Sequence, residues 1–280
     1  MGGEDTTPVI FLFLRSLKSY VTQFQSETVY CTWDKKLEWP STNFRFTADN
    51  VDYKGTRDHK EFDDLHKHNE DIFTLLENLG VRNIFPKVME ADDVIAWLVH
   101  TLEDQFTIVS GDHDLWQLVS DKCQVFEPRK RIVVTKDNFT SYSDVPQSEF
   151  IRYKCLVGDK SDNIEGIPKV GLKRAKKILE SWPDSYNKLS KEHKAIVDIN
   201  EKLVDLSYGY TVHEGEIECY ESQLRQLRDI KMDMKAFKER CEKLGFNTII
   251  DRVSDWRNAF SNKRVNQTIM NLIGRLGLNK

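Results

Sequence analysis

The sequence predicts an α/β protein: a mostly parallel, twisted sheet flanked by helices, followed by a helical region. Three observations carry that expectation. Short apolar runs, TVYCTWD (28–34), IFPKV (84–88) and FTIVS (106–110), alternate with stretches of helical periodicity, which is the pattern of a parallel sheet covered on both faces. Acids close two of these runs, Asp34 and Asp112, at the carboxyl ends of strands where such sheets bind ligands. After about Ser143 strand-like runs cease and the chain reads as helical.

In chain order, Thr7 and Pro8 read as the N-cap and first residue of a helix reaching about Gln25. TVYCTWD is a strand ending in an acid, and YKGTR (53–57) is a polar, glycine-containing loop. From about Glu61 to Leu79 the apolar residues Phe62, Leu65, Ile72, Leu75, Leu76 and Leu79 recur at helical spacing, with Gly80 as C-cap. IFPKV is a short strand, Ala91 to Leu102 the next helix, and FTIVS a buried strand running into Gly111. CQVF and RIVVT form an edge hairpin around Pro128, and a tail from about Ser207 is mixed.

The 280 residues carry a net charge of −4, with 39% hydrophobic and 31% charged residues, as in an ordinary, rather polar soluble protein. No apolar run approaches membrane-spanning length, since VIFLFL gives way to Arg15, and MGGEDTTP lacks the features of a signal peptide. Cys31, Cys123, Cys155, Cys219 and Cys241 are scattered without a CxxC pair, which suits a reducing interior. The expected compartment is the cytoplasm of a bacterium or of a phage-infected host cell, with no membrane partner. The acidic sum hides basic clusters at PRKR (128–131) and KVGLKRAKK (169–177), so charge balance alone does not exclude nucleic acid.

Acids gather at three points: Glu90, Asp92 and Asp93 in MEADD, Asp112 and Asp114 in SGDHD, and Asp159 and Asp162 in GDKSDN. Taken singly, MEADD complements a helix dipole and Asp114 serves as an N-cap. Brought together, the acids repel unless divalent cations neutralise them. Hard oxygen donors without a Cys/His pattern favour Mg2+ or Mn2+, and two such ions supply metal-assisted phosphodiester hydrolysis. None of the seven histidines is needed as a base, and His113 reads as a spacer. In GDKSDNIEGIPKVGLKRAKKIL, Gly166 and Gly171 bracket a tight turn that lets phosphate approach backbone N–H groups. Lys169, Lys173, Arg174, Lys176 and Lys177 stand by to neutralise neighbouring phosphates.

The strings YKGTR, EADD, SGDHDLWQL and GDKSDNIEGIPKVGLKRAKKIL, in this order over roughly residues 8 to 206, closely resemble the 5′-nuclease family: flap endonucleases, phage 5′-exonucleases and the 5′-nuclease domain of bacterial DNA polymerase I. The length and YKGTRDHK point to the compact phage type. The resemblance implies a PIN-like nuclease core over 1–143, a helix-three-turn-helix DNA-binding region over 144–206, and a helical or mixed segment over 207–280 packing on the core. It implies two divalent ions, Mg2+ or Mn2+: Glu90, Asp92, Asp112 and Asp114 at the first, Asp159 and Asp162 at the second with Asp114 near both, Asp93 acting through water, and Asp34 as the acid of the second strand. Lys54 and Arg57 match the basic pair that stabilises charge on the scissile phosphate, Tyr53 the aromatic on which a terminal base stacks, and residues 58 to about 80 a helical arch. The 158–180 segment matches the duplex-holding element, with a K+ ion on its loop carbonyls. The implied activity is structure-selective 5′-flap endonuclease and 5′-3′ exonuclease action on branched or 5′-ended duplex DNA, or on RNA–DNA hybrids such as primers, during replication.

The N-terminus departs from the family pattern, which opens with an apolar strand ending in a metal-binding Asp. Here a helix begins at Thr7, and Glu4 and Asp5 have no strand before them. The expectation is that a short peptide from a split gene supplies that strand by β-augmentation. The alternative is a catalytically impaired subunit that binds branched DNA. A PIN-type ribonuclease would not need the GIPKVG segment.

Overall fold

The computed structural model describes residues 7–34, 43–47, 52–55, 69–213, 215–217 and 231–261. In chain order its principal elements are α1 (Thr7–Gln23), β1 (Tyr30–Thr32), α2 (Asn69–Asn78), β2 (Arg82–Ile84), α3 (Ala91–Thr101), β3 (Phe106–Val109), β4 (Cys123–Glu127), β5 (Ile132–Val134), α4 (Phe150–Val157), β6 (Gly158–Asp159), β7 (Ile164–Glu165), α5 (Leu172–Leu179), α6 (Lys191–Val204), α7 (Leu206–Val212), α8 (Met234–Lys243) and α9 (Val253–Phe260). They fall into two compact units: residues 1–31, 59–84 and 221–280, and residues 32–58 and 85–220. These units do not follow the sequence boundaries at 143 and 206, because α4 to α7 share one core with β3 to β5.

In the first unit, α1 buries Ile10, Leu14 and Val21, and its neighbours are helices of the tail. Phe11 meets Phe246 at 5.6 Å between ring centroids, and α8 packs on α2, with Arg240 and Asp71 paired at 2.5 Å. Gly80 ends α2 as expected: it takes φ +77° and donates its N–H to the Glu77 carbonyl. The helix itself begins at Asn69; the earlier part of the expected 61–79 helix lies outside the described residues. β2 pairs with β1 but stops at Ile84, short of the expected 84–88 strand. Pro86 has no N–H to give a ladder, and 85–90 is loop.

The second unit holds a three-stranded sheet, ordered β3-β4-β5. β3 and β4 run parallel, Ile108 opposite Val125, and β4 and β5 antiparallel, Val125 opposite Val134. The expected single sheet is thus described as small sheets, and β3 is paired on one side only among the described residues. For the same reason β3 is not the buried strand its apolar composition suggests: Ile108 is buried but Val109 is 39% exposed. Ala96, Val99, Leu115, Trp116, Phe139, Phe150 and Leu156 build a core continuous with Ala175, Leu179, Val197 and Leu203 of the helical region.

Strands also reappear where none was expected. β6 and β7 form a two-residue hairpin, Gly158 opposite Glu165 and Asp159 opposite Ile164, which presents the GDKSDN loop. Gly158 has φ +76°, and a Cβ there would lie 2.4 Å from both the Gly166 nitrogen and the Ile164 oxygen. Gly158→Ala is therefore expected to cost at least about 1–3 kcal/mol from backbone strain alone. Denaturant unfolding checks it; a midpoint unchanged from wild type would contradict this account of the hairpin.

Candidate active site

The first acids are set by the start of α3. Glu90 is its N-cap, and a capping box closes it: the Asp93 carboxylate accepts the Glu90 N–H at 3.1 Å. Asp34, two residues beyond β1, accepts the Ala91 N–H at 2.7 Å and so ties itself to the same helix terminus. Asp92 points among these groups, and no hydrogen bond reaches it among the described residues. Burial and the charges of Asp112, Asp34 and Glu90 push its carboxyl well above the usual carboxylate range. Burial and Glu90 likewise raise Asp34 against the help of the Ala91 N–H. Burial also works against Glu90, yet Lys54 and Arg45 outweigh it and hold this carboxyl below its ordinary value.

Asp112 lies past the end of β3 and Gly111. Its Oδ1 accepts the Asp114 N–H at 2.8 Å, capping the 3-10 turn His113–Leu118. Asp114 in turn is paired with Lys154 of α4, and Lys154 reaches Asp159 Oδ2 at 2.7 Å. Burial raises the Asp159 carboxyl, but Lys154 and Ser161 outweigh it and leave it lowered. Asp162 is buried, and Tyr53 links it to the first group. The Tyr53 hydroxyl lies 3.1 Å from Glu90 Oε2 and 3.3 Å from Asp162 Oδ2. The Asp162 carbonyl accepts the Lys54 N–H at 3.0 Å, and Asn163 Nδ2 donates to the Asp52 carbonyl at 2.8 Å. The YKG turn is thereby fixed to the GDKSDN loop, and Lys54, at φ +56°, aims its ammonium at Glu90.

Five separate stretches of sequence thus meet: 34, 53–54, 90–93, 112–114 and 159–162. Some residues do not have the surroundings their motifs suggested. Tyr53 cannot offer its ring to a base, because it is 6% exposed and packs edge-on against Phe46. Asp93 has both oxygens engaged by Arg45 at 2.7 Å, so it sits as a bracket rather than an open ligand. Gly166 is packed against Val157, where a Cβ would come within 2.2 Å of its carbonyl carbon. Gly171 faces open space and N-caps α5. His113 stacks on Trp116 at 4.1 Å and lies 3.4 Å from Glu127, so it orients the Asp112–Asp114 turn rather than merely spacing it. Arg57, Glu4, Asp5 and residues 58–68 of the expected arch lie outside the described residues.

Two basic residues were missed. Lys154 carries a faint signal, a lone lysine in the apolar stretch KCLV five residues before Asp159. Arg45, in NFRF, carries none; it is 0% exposed, and burying a guanidinium requires partners that only the fold supplies. On α5, Ala175 and Leu179 face the core, while Lys173, Arg174, Lys176 and Lys177 are all exposed, with Lys169 exposed on the preceding loop. A basic helix surface beside an open glycine suits a phosphate backbone.

The donor set fits hard divalent cations: carboxylate oxygens only, with half-buried Asp92 set among the charges of Asp112, Asp34 and Glu90. Lys54 and Lys154 engage Glu90, Asp114 and Asp159, and no three acidic, histidine or cysteine side chains meet as a ready ion pocket among the described residues. No described helix is long and apolar enough to cross a membrane.

Residues 2–144 match the sequence profile of the 5′-3′ exonuclease, N-terminal resolvase-like domain. The chain is 29% identical over 188 residues to a 5′-3′ exonuclease of Buchnera aphidicola subsp. Schizaphis graminum, covering 66% of this chain and 63% of that protein. It is 34% identical over 185 residues to DNA polymerase I of Lactococcus lactis subsp. cremoris, covering 63% of this chain and 20% of the polymerase. The chain therefore spans less than two thirds of either relative. Its structure resembles T5 5′-exonuclease with bound divalent metal ions (zinc), at a TM-score of 0.60 and 21% identity, over 86% of this chain and 93% of that one. That likeness establishes a resolvase-like α/β fold. With the profile matching more than half of its residues, the chain belongs to the 5′-3′ exonuclease family.

Proposed function

We propose that this chain is a structure-selective 5′-nuclease acting in the cytoplasm on flaps, 5′ ends or RNA–DNA primers during replication. The observation that carries the reading is the gathering of the acids of MEADD, SGDHD and GDKSDN, together with Asp34, around Tyr53 and Lys154. Glu90, Asp92, Asp112 and Asp114, with Asp34 beside them, would hold one divalent cation, and Asp159 and Asp162 the second, Mg2+ or Mn2+ in each case. Bound there, the ions would supply a water of lowered pKa and stabilise charge on the leaving oxygen. Asp93 holds Arg45 and the α3 terminus instead of an ion. Lys54, with Arg57 beyond it in sequence, would offset charge on the phosphate. Gly171 and the basic face of α5 would hold the duplex, and loop carbonyls of the 158–180 segment would take a K+ ion.

Incubation with a labelled 5′-flap duplex, with and without Mg2+, tests the proposal. Cleavage at the flap only with Mg2+ supports it; cutting of single-stranded RNA alone, or binding without cutting, overturns it. Replacing Lys173, Lys176 and Lys177 by Ala should weaken duplex binding without changing kcat. The slope of log K against log salt should fall by about 0.9 for each phosphate that is no longer neutralised. An unchanged salt slope would move the duplex elsewhere.

A second reading rests on β3. Among the described residues it is paired on one side only, and the other edge, ending beside Asp112, is where a strand-bearing peptide carrying a further Asp would pair; without it the chain would bind branched DNA and cut poorly. Cleavage that rises on adding such a peptide favours this reading, and indifference to it counts against.

A further inference from the structure

We infer that the last turn of α6, Asn200 to Leu203, is the strut that sets the distance between the two groups of ion-holding acids, with Arg45 and Asn200 as the positioning residues at its ends. The inference rests on the nuclease reading and assigns a task to residues outside every motif.

At one end, Asn200 is buried and its Nδ2 donates to the Cys155 carbonyl at 2.9 Å and the Glu165 carbonyl at 2.8 Å. Those carbonyls belong to the end of α4 and to β7, the two legs between which the Asp159–Asp162 loop hangs. Both amide hydrogens of one side chain therefore hold the second acid group by its flanks. At the other end, the Leu203 carbonyl is one of the last in α6, which the helix leaves without an internal partner. Arg45 Nε donates to it at 2.9 Å. The same guanidinium forks onto Asp93 with two bonds of 2.7 Å and reaches Glu90 Oε2 at 3.1 Å. Asn43 secures the arginine from behind: its Oδ1 accepts the Arg45 N–H at 2.9 Å and its Nδ2 donates to the Val88 carbonyl at 2.8 Å, in the loop before Glu90.

Asn200 and Leu203 are three residues apart, about 4.5 Å of helix rise. One stiff helical turn thus separates the bracket of Asp159 and Asp162 from the bracket of Glu90 and Asp93. The planar fork matters as much as its charge, since only a guanidinium serves a carbonyl and two carboxylates at once.

The test uses Arg45→Lys, which keeps the charge and removes the fork, and Asn200→Ala, which frees the second bracket. Mn2+ binding by calorimetry is read alongside flap cleavage, with unfolding curves confirming that each variant folds. The wild type should bind two ions. Each variant should bind the second ion at least about tenfold more weakly, with kcat reduced toward the 100-fold that a misplacement of about 1 Å can cost and KM for the flap unchanged. Both act on one spacing, so the double variant should lose less than the product of the two. Folded variants with wild-type isotherms, or a wild type that binds no second ion, overturn the inference. Two-ion binding without flap cleavage would count against the nuclease reading alone, and the isotherms would still decide the strut.

Discussion

Asp112→Asn should slow flap cleavage by about 10³-fold and leave duplex binding almost untouched. The carboxylate lies past the end of β3, exposed, and among the described residues its one hydrogen bond is to accept the Asp114 N–H at 2.8 Å. An asparagine keeps an oxygen in that place, so the 3-10 turn and the Trp116 packing behind it should survive. What disappears is one unit of negative charge in the field that raises Asp92, where Asp112 is the largest cause after burial. With Asp112 as the ion ligand proposed above, its loss forfeits several kcal/mol of charge stabilisation. At about 1.4 kcal/mol per decade, that is a fall of about 10³-fold in kcat. The exposed basic face of α5, proposed above to hold the duplex, contains none of these groups, so the dissociation constant for an uncut flap in Ca2+ should shift by less than about threefold. Single-turnover cleavage and fluorescence anisotropy separate the two quantities. A variant that cuts at the wild-type rate would remove Asp112 from the site, and with it the convergence on which the proposed function stands.

The acids of this site were legible because their positions are local events: MEADD opens a helix, SGDHD follows an apolar strand, and GDKSDN precedes a glycine turn. Each needs only its own neighbours to be placed at an element's end. Arg45, which brackets two of them, was not legible, because it reaches Glu90 and Asp93 across more than forty residues and Leu203 across 158. Nothing local distinguishes such an arginine from a surface one. Tyr53 shows the opposite failure. The family resemblance implied a ring on which a terminal base stacks, yet burial against Phe46 and a hydroxyl between Glu90 and Asp162 make it part of the scaffold. The helix-strand alternation gave the fold class, but not the division of the strands. Register and partner depend on edges, and an edge such as that of β3 has no signature in its own four residues. The β6–β7 hairpin escaped notice because two-residue strands have no period at all.

Lys154→Met should destabilise the protein in chelator and make it gain more from divalent cations than the wild type does. Lys154 is buried, and its ammonium joins Asp114 to Asp159. Methionine keeps most of the stem's volume against Phe150, so the change is chiefly electrical. Two carboxylates, both largely covered, would then face each other without a counter-charge. Breaking a buried pair by removing one partner costs about 3–5 kcal/mol. These oxygens are partly reached by solvent, which argues for the lower end, about 3 kcal/mol, seen as a drop of several degrees in Tm. The pH dependence has a definite sign. The Asp159 carboxyl, raised by burial but lowered overall by Lys154 and Ser161, contributes stability above the ordinary carboxylate range and loses it as pH falls through its depressed value. Without Lys154 that acid limb should flatten. Under the proposed function a divalent ion would satisfy the same oxygens of Asp114 and Asp159 as the lysine ammonium, so in the wild type its binding must displace an ion pair, whereas in the variant it meets uncompensated charge. Binding to the folded state alone stabilises by RT ln(1 + [ion]/Kd), so the gap in Tm between the two proteins should narrow as Mg2+ or Mn2+ is raised. A gap that stays constant over that titration would mean that Lys154 and the ions occupy different ground, and that Asp114 and Asp159 hold the lysine for the fold alone.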